Sequence, residues 1–200
     1  MNDVVLAGVI RQIEYSHTVN GIVYDKAQLI VKNSNGLESV INLKFKRLSN
    51  PYSENEFISL IGNIRTYSST TEGKNHVEVY VFTYFDTPPV EFDGLVNFVQ
   101  VDGRICKMDE LRILNSGKCY LHFILANNIT TANSKFNSYL PCVAWGSIAE
   151  SLSKYNVGDE ISYIAELRSR EYKKYNENTL ELHIAHELLI QSFCPHEVTL

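Results

Sequence analysis

The chain is short of most of what catalytic and metal-binding frameworks need. Its cysteines stand at 106, 119, 142 and 194 with no close pair. That spacing offers neither a zinc motif nor a disulfide framework, and it implies reduced, mostly structural thiols in a cytoplasmic protein. Basic residues are outnumbered, 18 against 23 acidic, for a net charge of -5, so no partner can be held by bulk positive charge. No apolar run approaches the ~18–20 residues that span a bilayer. The opening stretch places Asp3 ahead of its apolar residues and has neither a basic leader nor a small-residue cleavage site. Phosphate-binding glycine loops, nucleophile elbows and paired-carboxylate motifs are also missing. His183 and His186 are separated by two residues on a segment of strand character, so they point to opposite faces and make poor co-ligands. His196-Glu197 lacks the second histidine of a zinc protease motif. The expectation is therefore a protein with no metal, no cofactor, no catalytic residues and no membrane partner, and not an enzyme.

What is present is a core and a period of two. Hydrophobic residues make up 44% of the chain, enough to bury a core. Val4–Ile13 is continuously apolar, like a strand covered on both faces. Gly21–Val31 and Leu37–Phe45 flank Asn33-Ser-Asn-Gly36, a tight-turn composition, and predict a hairpin. Phe57–Arg65 and Val77–Phe85 complete a first series of strands. Asp86-Thr-Pro-Pro-Val-Glu-Phe-Asp-Gly94 then breaks the pattern with two prolines and a glycine. The series restarts with Val96–Ile105, Cys119–Asn127, Ser138–Trp145, Glu160–Arg168 and Leu180–Gln191. A helix is expected over Ser147–Tyr155, where Ile148, Ala149 and Leu152 fall at helical spacing and Gly158-Asp159 closes the segment.

Five strands with a short helix after the third is the order of the OB-fold, a small Greek-key barrel. The halves align: Ile58-Ser-Leu-Ile-Gly-Asn-Ile-Arg65 matches Ile161-Ser-Tyr-Ile-Ala-Glu-Leu-Arg168 without a gap. The fold class predicted is all-β, two tandem OB-fold five-stranded barrels with a short helix in the second. Residues 1–86 form the first barrel, 87–95 a linker, 96–193 the second barrel and 194–200 a short tail. Leu48–Asn55, which contains Pro51, occupies the helix position in the first barrel, so that helix should be short or missing.

Along Ser138–Trp145, Tyr139, Val143 and Trp145 share one face while Leu140, Cys142 and Ala144 share the other. A tyrosine and the single tryptophan thus stand opposite a small apolar face suited to a barrel interior. Outward aromatics of this kind stack on any exposed base at ~1–3 kcal/mol each without reading sequence. Arg168, Arg170, Lys173 and Lys174 flank Tyr172, and Arg104 and Lys107 end the first strand of the second barrel. Such cations pair with phosphates.

Five stretches carry a family resemblance: Val101-Asp-Gly-Arg-Ile105, Leu125-Ala-Asn-Asn128, Pro141-Cys-Val-Ala-Trp-Gly-Ser-Ile-Ala-Glu150, Tyr155-Asn-Val-Gly-Asp159 and Leu167-Arg-Ser-Arg-Glu-Tyr172. In this order and spacing, residues 96–192 resemble the bacterial and phage single-stranded DNA-binding proteins in their tandem OB-fold form. The first half resembles them through its strand order, Val5-Leu-Ala-Gly8 and Leu60-Ile-Gly-Asn-Ile-Arg65. The resemblance implies base stacking by Tyr139, Trp145 and Tyr172, with Phe136 near a further stacking position. In the first barrel the counterparts are Lys44, Lys46, Arg47 and Arg65, with Phe45 and Tyr67 as stackers. The partner implied is single-stranded DNA, with single-stranded RNA satisfying the same physics, and the assembly implied is a homodimer presenting four barrels.

Blander readings stand beside these. An isolated tryptophan is more often core, the tyrosines could be ordinary strand residues, and Lys173-Lys174 reads as a solvated turn. Arg168 and Arg170 could pair with Glu166 and Glu171. The chain ends Phe193-Cys-Pro-His-Glu-Val-Thr-Leu200 without the acidic, phenylalanine-tipped tail typical of the family. With the negative net charge, this favours an alternative: an OB-fold protein-interaction module of a primosome or replisome type of assembly.

Overall fold

The structure, a computed structural model, describes residues 1–47, 52–71, 74–83, 96–131, 134–176 and 179–195. The expected linker and the first half of the Leu48–Asn55 segment lie outside the described residues, as does the end of the tail. The first series of strands is β1 (Asn2–Val19), β2 (Ile22–Lys32), β3 (Glu38–Lys46), β4 (Phe57–Thr71) and β5 (Lys74–Thr83). The second is β6 (Asn97–Met108), β7 (Arg112–Ile113), β8 (Cys119–Thr131), β9 (Ser134–Trp145), β10 (Glu160–Asn176) and β11 (Thr179–Pro195), with one helix, α1 (Gly146–Leu152), after β9.

Alternation sets the interior. In β3, Val40, Asn42 and Lys44 are half-exposed while Ile41, Leu43 and Phe45 are buried. In β9, Leu140, Cys142 and Ala144 are buried in the same way. Each fully buried Leu or Ile contributes about 1.5–3 kcal/mol relative to exposure. The helix is shorter than its pattern suggested, ending at Leu152. Ala149 and Leu152 alone enter the core, and α1 lies against β8 and β9 at the barrel end.

Several strands run longer than their hydrophobic pattern. β1 continues through polar residues to Val19 because Asn20 (φ 49°) and Gly21 (φ 78°) close a tight turn that pairs it with β2. That pair of positive φ values suits an Asn-Gly hairpin turn. β10 and β11 continue beyond the barrel as a two-stranded arm, Tyr172 opposite His183 and Lys173 opposite Leu182. Cross-strand backbone pairing sustains such an arm after burial has ended. The two-residue β7 has no counterpart in the sequence pattern.

The two series repeat one pairing scheme. β1 pairs antiparallel with β2 and β4, β4 with β5, and β3 closes on β5 in parallel through Leu43 and Val81. β6 pairs with β8 and β10, β10 with β11, and β9 closes on β11 in parallel through Cys142 and Leu188. Each is a five-stranded OB barrel. The barrels are joined edge to edge: β1 pairs antiparallel with β6, Asn2 opposite Val101 and Leu6 opposite Asn97, which makes one continuous sheet.

Side chains at this seam obey a near two-fold symmetry. Asn2 donates from Nδ2 to the Ile64 carbonyl and accepts from the Ile64 N–H, at 2.9 and 2.8 Å. Asn97 makes the same two bonds to Leu167, both 2.9 Å. Ser39 Oγ accepts from the Ser169 N–H while Ser169 Oγ accepts from the Val40 N–H. Across the seam Ser138 Oγ accepts from the Thr66 N–H and Thr66 Oγ1 accepts from the Tyr139 N–H. Removing a buried partner costs about 1–3 kcal/mol per group left unsatisfied. Asn97→Ala strips both partners from the Leu167 peptide groups and should therefore lower stability by about 2–6 kcal/mol, about 1–3 for each group. Urea denaturation should show an earlier midpoint for this variant than for wild type.

Candidate nucleic-acid interface

The register places Arg104 and Tyr139 of the second barrel on one face, while Phe136 alternates with Ser138 and Leu140 to the other side of β9. Glu160, Arg104, Ala126 and Tyr139 form a row across β10, β6, β8 and β9. Arg104 and Tyr139 are thus two strands apart, about 10 Å at the usual strand spacing. Tyr139 is 52% exposed and Tyr172 39%. Trp145 is half-buried, tilted at 57° against Tyr120 with ring centroids 4.7 Å apart, and Lys118 Nζ lies 5.0 Å over its ring. Tyr172 stacks on His183 at 5.5 Å, with the Arg170 guanidinium 5.8 Å over its ring. Rings and cations alternate along this face, an arrangement that can take bases on the rings and phosphates on the cations.

The cations are held by acids. Arg104 pairs with Glu160 at 2.5 Å, Lys107 with Asp109 at 3.7 Å and Arg170 with Glu187 at 3.2 Å. The Arg170 pairing differs from the expected Glu171, because Glu171 alternates to the other side of the arm. Arg168 pairs with Glu166 as expected, at 2.6 Å, and also reaches Ser34 in the first barrel. Lys173 is exposed but alternates to the opposite side of the arm from Tyr172. The Lys174 side chain lies outside the described residues.

The first barrel requires corrections. Phe45 is 2% exposed and belongs to the core, because β3 alternation turns it inward, so it cannot stack on a base. Arg65 is 7% exposed, with its guanidinium between the rings of Phe82 and Phe136 at 4.2 and 4.3 Å, so it does not stand free as a phosphate ligand. Lys44 pairs with Glu78 at 2.8 Å and lies over the rings of Tyr80 and Tyr67 at 4.2 and 5.7 Å. Arg47 pairs with Asp25 at 2.6 Å. Lys46 and Tyr67 are exposed. The register makes Lys44 and Lys46 the counterparts of Val143 and Trp145. Val143 has the outward parity of Tyr139 and Trp145 but is 1% exposed, flanked by His122 and Leu189, and does not belong to the accessible face.

Tyr120 and Tyr80 escaped the sequence reading, which gives His183 only as a poor metal ligand. Tyr120 stands directly opposite Trp145 in the β8–β9 hairpin, and the alternation Tyr120, His122, Ile124 was its available signal. Burial pushes the hydroxyls of Tyr120 and Tyr80 above their ordinary value. Burial likewise pushes the Cys142 thiol up to about 12, which excludes it as a nucleophile at neutral pH. Among the described residues no group of three or more His, Cys, Asp or Glu is placed to hold a metal, and no helix is long and apolar enough to cross a membrane.

The fold and this face define a tandem OB-fold protein. Residues 96–192, the second barrel, match the model of the Single-strand binding protein family. The single-stranded DNA binding protein from Thermus aquaticus superposes with a TM-score of 0.75 at 17% identity, covering 98% of this chain and 93% of that chain. A deletion mutant of that protein gives 0.75 and 17%, covering 100% and 96%. At this identity the likeness establishes the shared fold. No curated protein matches the chain.

Two titratable groups tie the barrels together. His186 Nε2 donates to the Val40 carbonyl at 2.7 Å, and burial holds its imidazole below the ordinary 6.5. Glu166 accepts from the Ser34 N–H and from Arg168. Burial opposes its ionisation, but these bonds hold it below the ordinary 4.5. Both folded values are depressed, so in each case the unfolded chain takes up the proton first and stability falls as pH drops. Unfolding temperature should decline below pH 6.5 through His186 and again below 4.5 through Glu166. Melts across pH 7 to 3 check this, and Glu166→Gln should flatten the lower limb only.

Proposed function

We propose that the protein binds single-stranded DNA without sequence preference and coats strands exposed during replication, recombination or repair. The observation that carries this reading is the exposure of Tyr139 and Tyr172 and the half-exposure of Trp145 on the outward side of a barrel that matches the Single-strand binding protein family model. Bases would stack on those three rings and on Phe136, while Arg104, Lys107 and Arg170 contact phosphates. Their present carboxylate pairs are exposed, and exposed pairs are worth about 0–1 kcal/mol, so exchange for phosphate costs little. Lys46 and Tyr67 would extend the contact onto the first barrel. Catalysis forms no part of this reading.

The pairing of these cations with acids favours a second reading, a protein-interaction module. Salt dependence separates the two. A dT oligomer titration at several salt concentrations should quench Trp145 emission, with log K falling by about 0.7 per phosphate contact for each tenfold rise in salt. Trp145→Ala should weaken binding several-fold to about a hundredfold, the loss of one ~1–3 kcal/mol stack, with the fold retained by circular dichroism. Absence of binding at low salt would sink the DNA reading and promote the protein-interaction module.

The joined sheet also supports a homodimer. Ile61, Val5 and Phe98 form a half-exposed apolar row across β4, β1 and β6. A second copy packed on this row would give the homodimer of four barrels. Sedimentation should report twice the chain mass for wild type and the chain mass for Phe98→Asp.

A further inference from the structure

We infer that Arg65, although it belongs to the first barrel, is a positioning residue for the stacking edge of the second, an inference that rests on the single-strand reading above. A phosphate-binding arginine needs an accessible guanidinium, and Arg65 is 7% exposed. Its guanidinium carbon lies 4.2 Å from the ring centroid of Phe82 in the first barrel and 4.3 Å from that of Phe136 in the second. A cation between two rings is most strongly attracted where water is excluded, so this contact clamps one barrel to the other. The next residue tightens it: the Thr66 N–H donates to Ser138 Oγ at 3.2 Å, and the Tyr139 N–H donates to Thr66 Oγ1 at 3.0 Å. Two consecutive residues of β4 thus hold Phe136, Ser138 and Tyr139 of β9.

The symmetry of the seam shows that this is not a general feature of the barrel pair. The counterparts of Arg65 and Thr66 are Arg168 and Ser169, which grip Ser34, Ser39 and Val40. Among the described residues no ring is held there, because the β2–β3 turn closes early, with Lys32 opposite Glu38. The β8–β9 hairpin runs on past Ser138 to pair Thr131 with Ser134, and this extension carries Phe136 onto the first barrel. The first barrel therefore orders the aromatic edge of the second, with no reciprocal service. The Phe136 ring and the Tyr139 backbone are thus fixed before any strand arrives, and binding does not have to order the hairpin first.

The test uses the full chain as wild type, Arg65→Ala, Phe136→Ala and the double variant. Each is titrated with a dT oligomer over a salt series, with amide hydrogen exchange of residues 127–138 followed without DNA. Arg65→Ala should weaken binding about tenfold, as much as Phe136→Ala, and the double variant should be no weaker than either. The salt slope should stay at the wild-type value while exchange in 127–138 accelerates. A slope shallower by about 0.7, with losses that add to those of Phe136→Ala, would make Arg65 a phosphate contact and overturn the inference. Unchanged affinity in Arg65→Ala would overturn it as well. If the alanine variant does not fold, Arg65→Lys keeps the charge without the planar stack, and the same pattern should appear with a smaller loss. Failure of the wild type to bind retracts the single-strand reading and this role together, whereas wild-type binding untouched by Arg65→Ala retracts the role alone.

Discussion

The antiparallel pairing of β1 with β6 is the constraint from which the rest follows. Strand edges are unpaired hydrogen-bonding surfaces that must be covered or paired, and here each barrel covers the edge of the other. Val4 is paired on both sides, with Gly62 in its own barrel and Val99 in the next. Asn2 and Asn97 then satisfy the Ile64 and Leu167 peptide groups where the ladder cannot. Gly8 belongs to the same economy: a Cβ there would meet the Ile30 carbonyl oxygen at 2.2 Å, so β1 and β2 approach as closely as they do only without a side chain. With the seam fixed, β4 lies against β9 and β10 against β3, and the outward faces of the two barrels acquire a set relation.

An acidic protein can hold its few outward cations against neighbouring carboxylates. The structure pairs Arg104, Lys107 and Arg170 with carboxylates at the surface, where water and salt screen the attraction. Arg168 differs in being tied to a buried carboxylate that also accepts from Ser34, so its role is to join the barrels. Lys44, over two rings and against Glu78, belongs to the same structural group. The same residue type thus has different work according to the dielectric around it. The first barrel has spent most of its outward cations on its own packing.

Strand order, the tandem repeat and the helix after the third strand of the second half were legible in the sequence, because alternation and turn residues act locally. So was the Tyr139–Trp145 face, since a period of two assigns sides without knowing neighbours. Phe45 fell on the wrong side of the interpretation, although its parity was readable: Lys44 and Lys46 outward place Phe45 inward. Tyr120 was missed because its relation to Trp145 exists only in the β8–β9 register. The length of β10 and β11 was underestimated because their outer halves are held by each other and not by burial.

The sequence by itself determined the all-β class, the two-barrel plan, the likeness of residues 96–192 to the Single-strand binding protein family and the shared outward parity of Tyr139 and Trp145. Those properties follow from hydrophobic periodicity and from short ordered motifs, which are local along the chain. Tertiary structure alone decided that the barrels share one sheet, that Arg65 lies between Phe82 and Phe136, and that most candidate cations are already paired. These are contacts between residues distant in the chain, and their distances and exclusion of water exist only once the seam has closed.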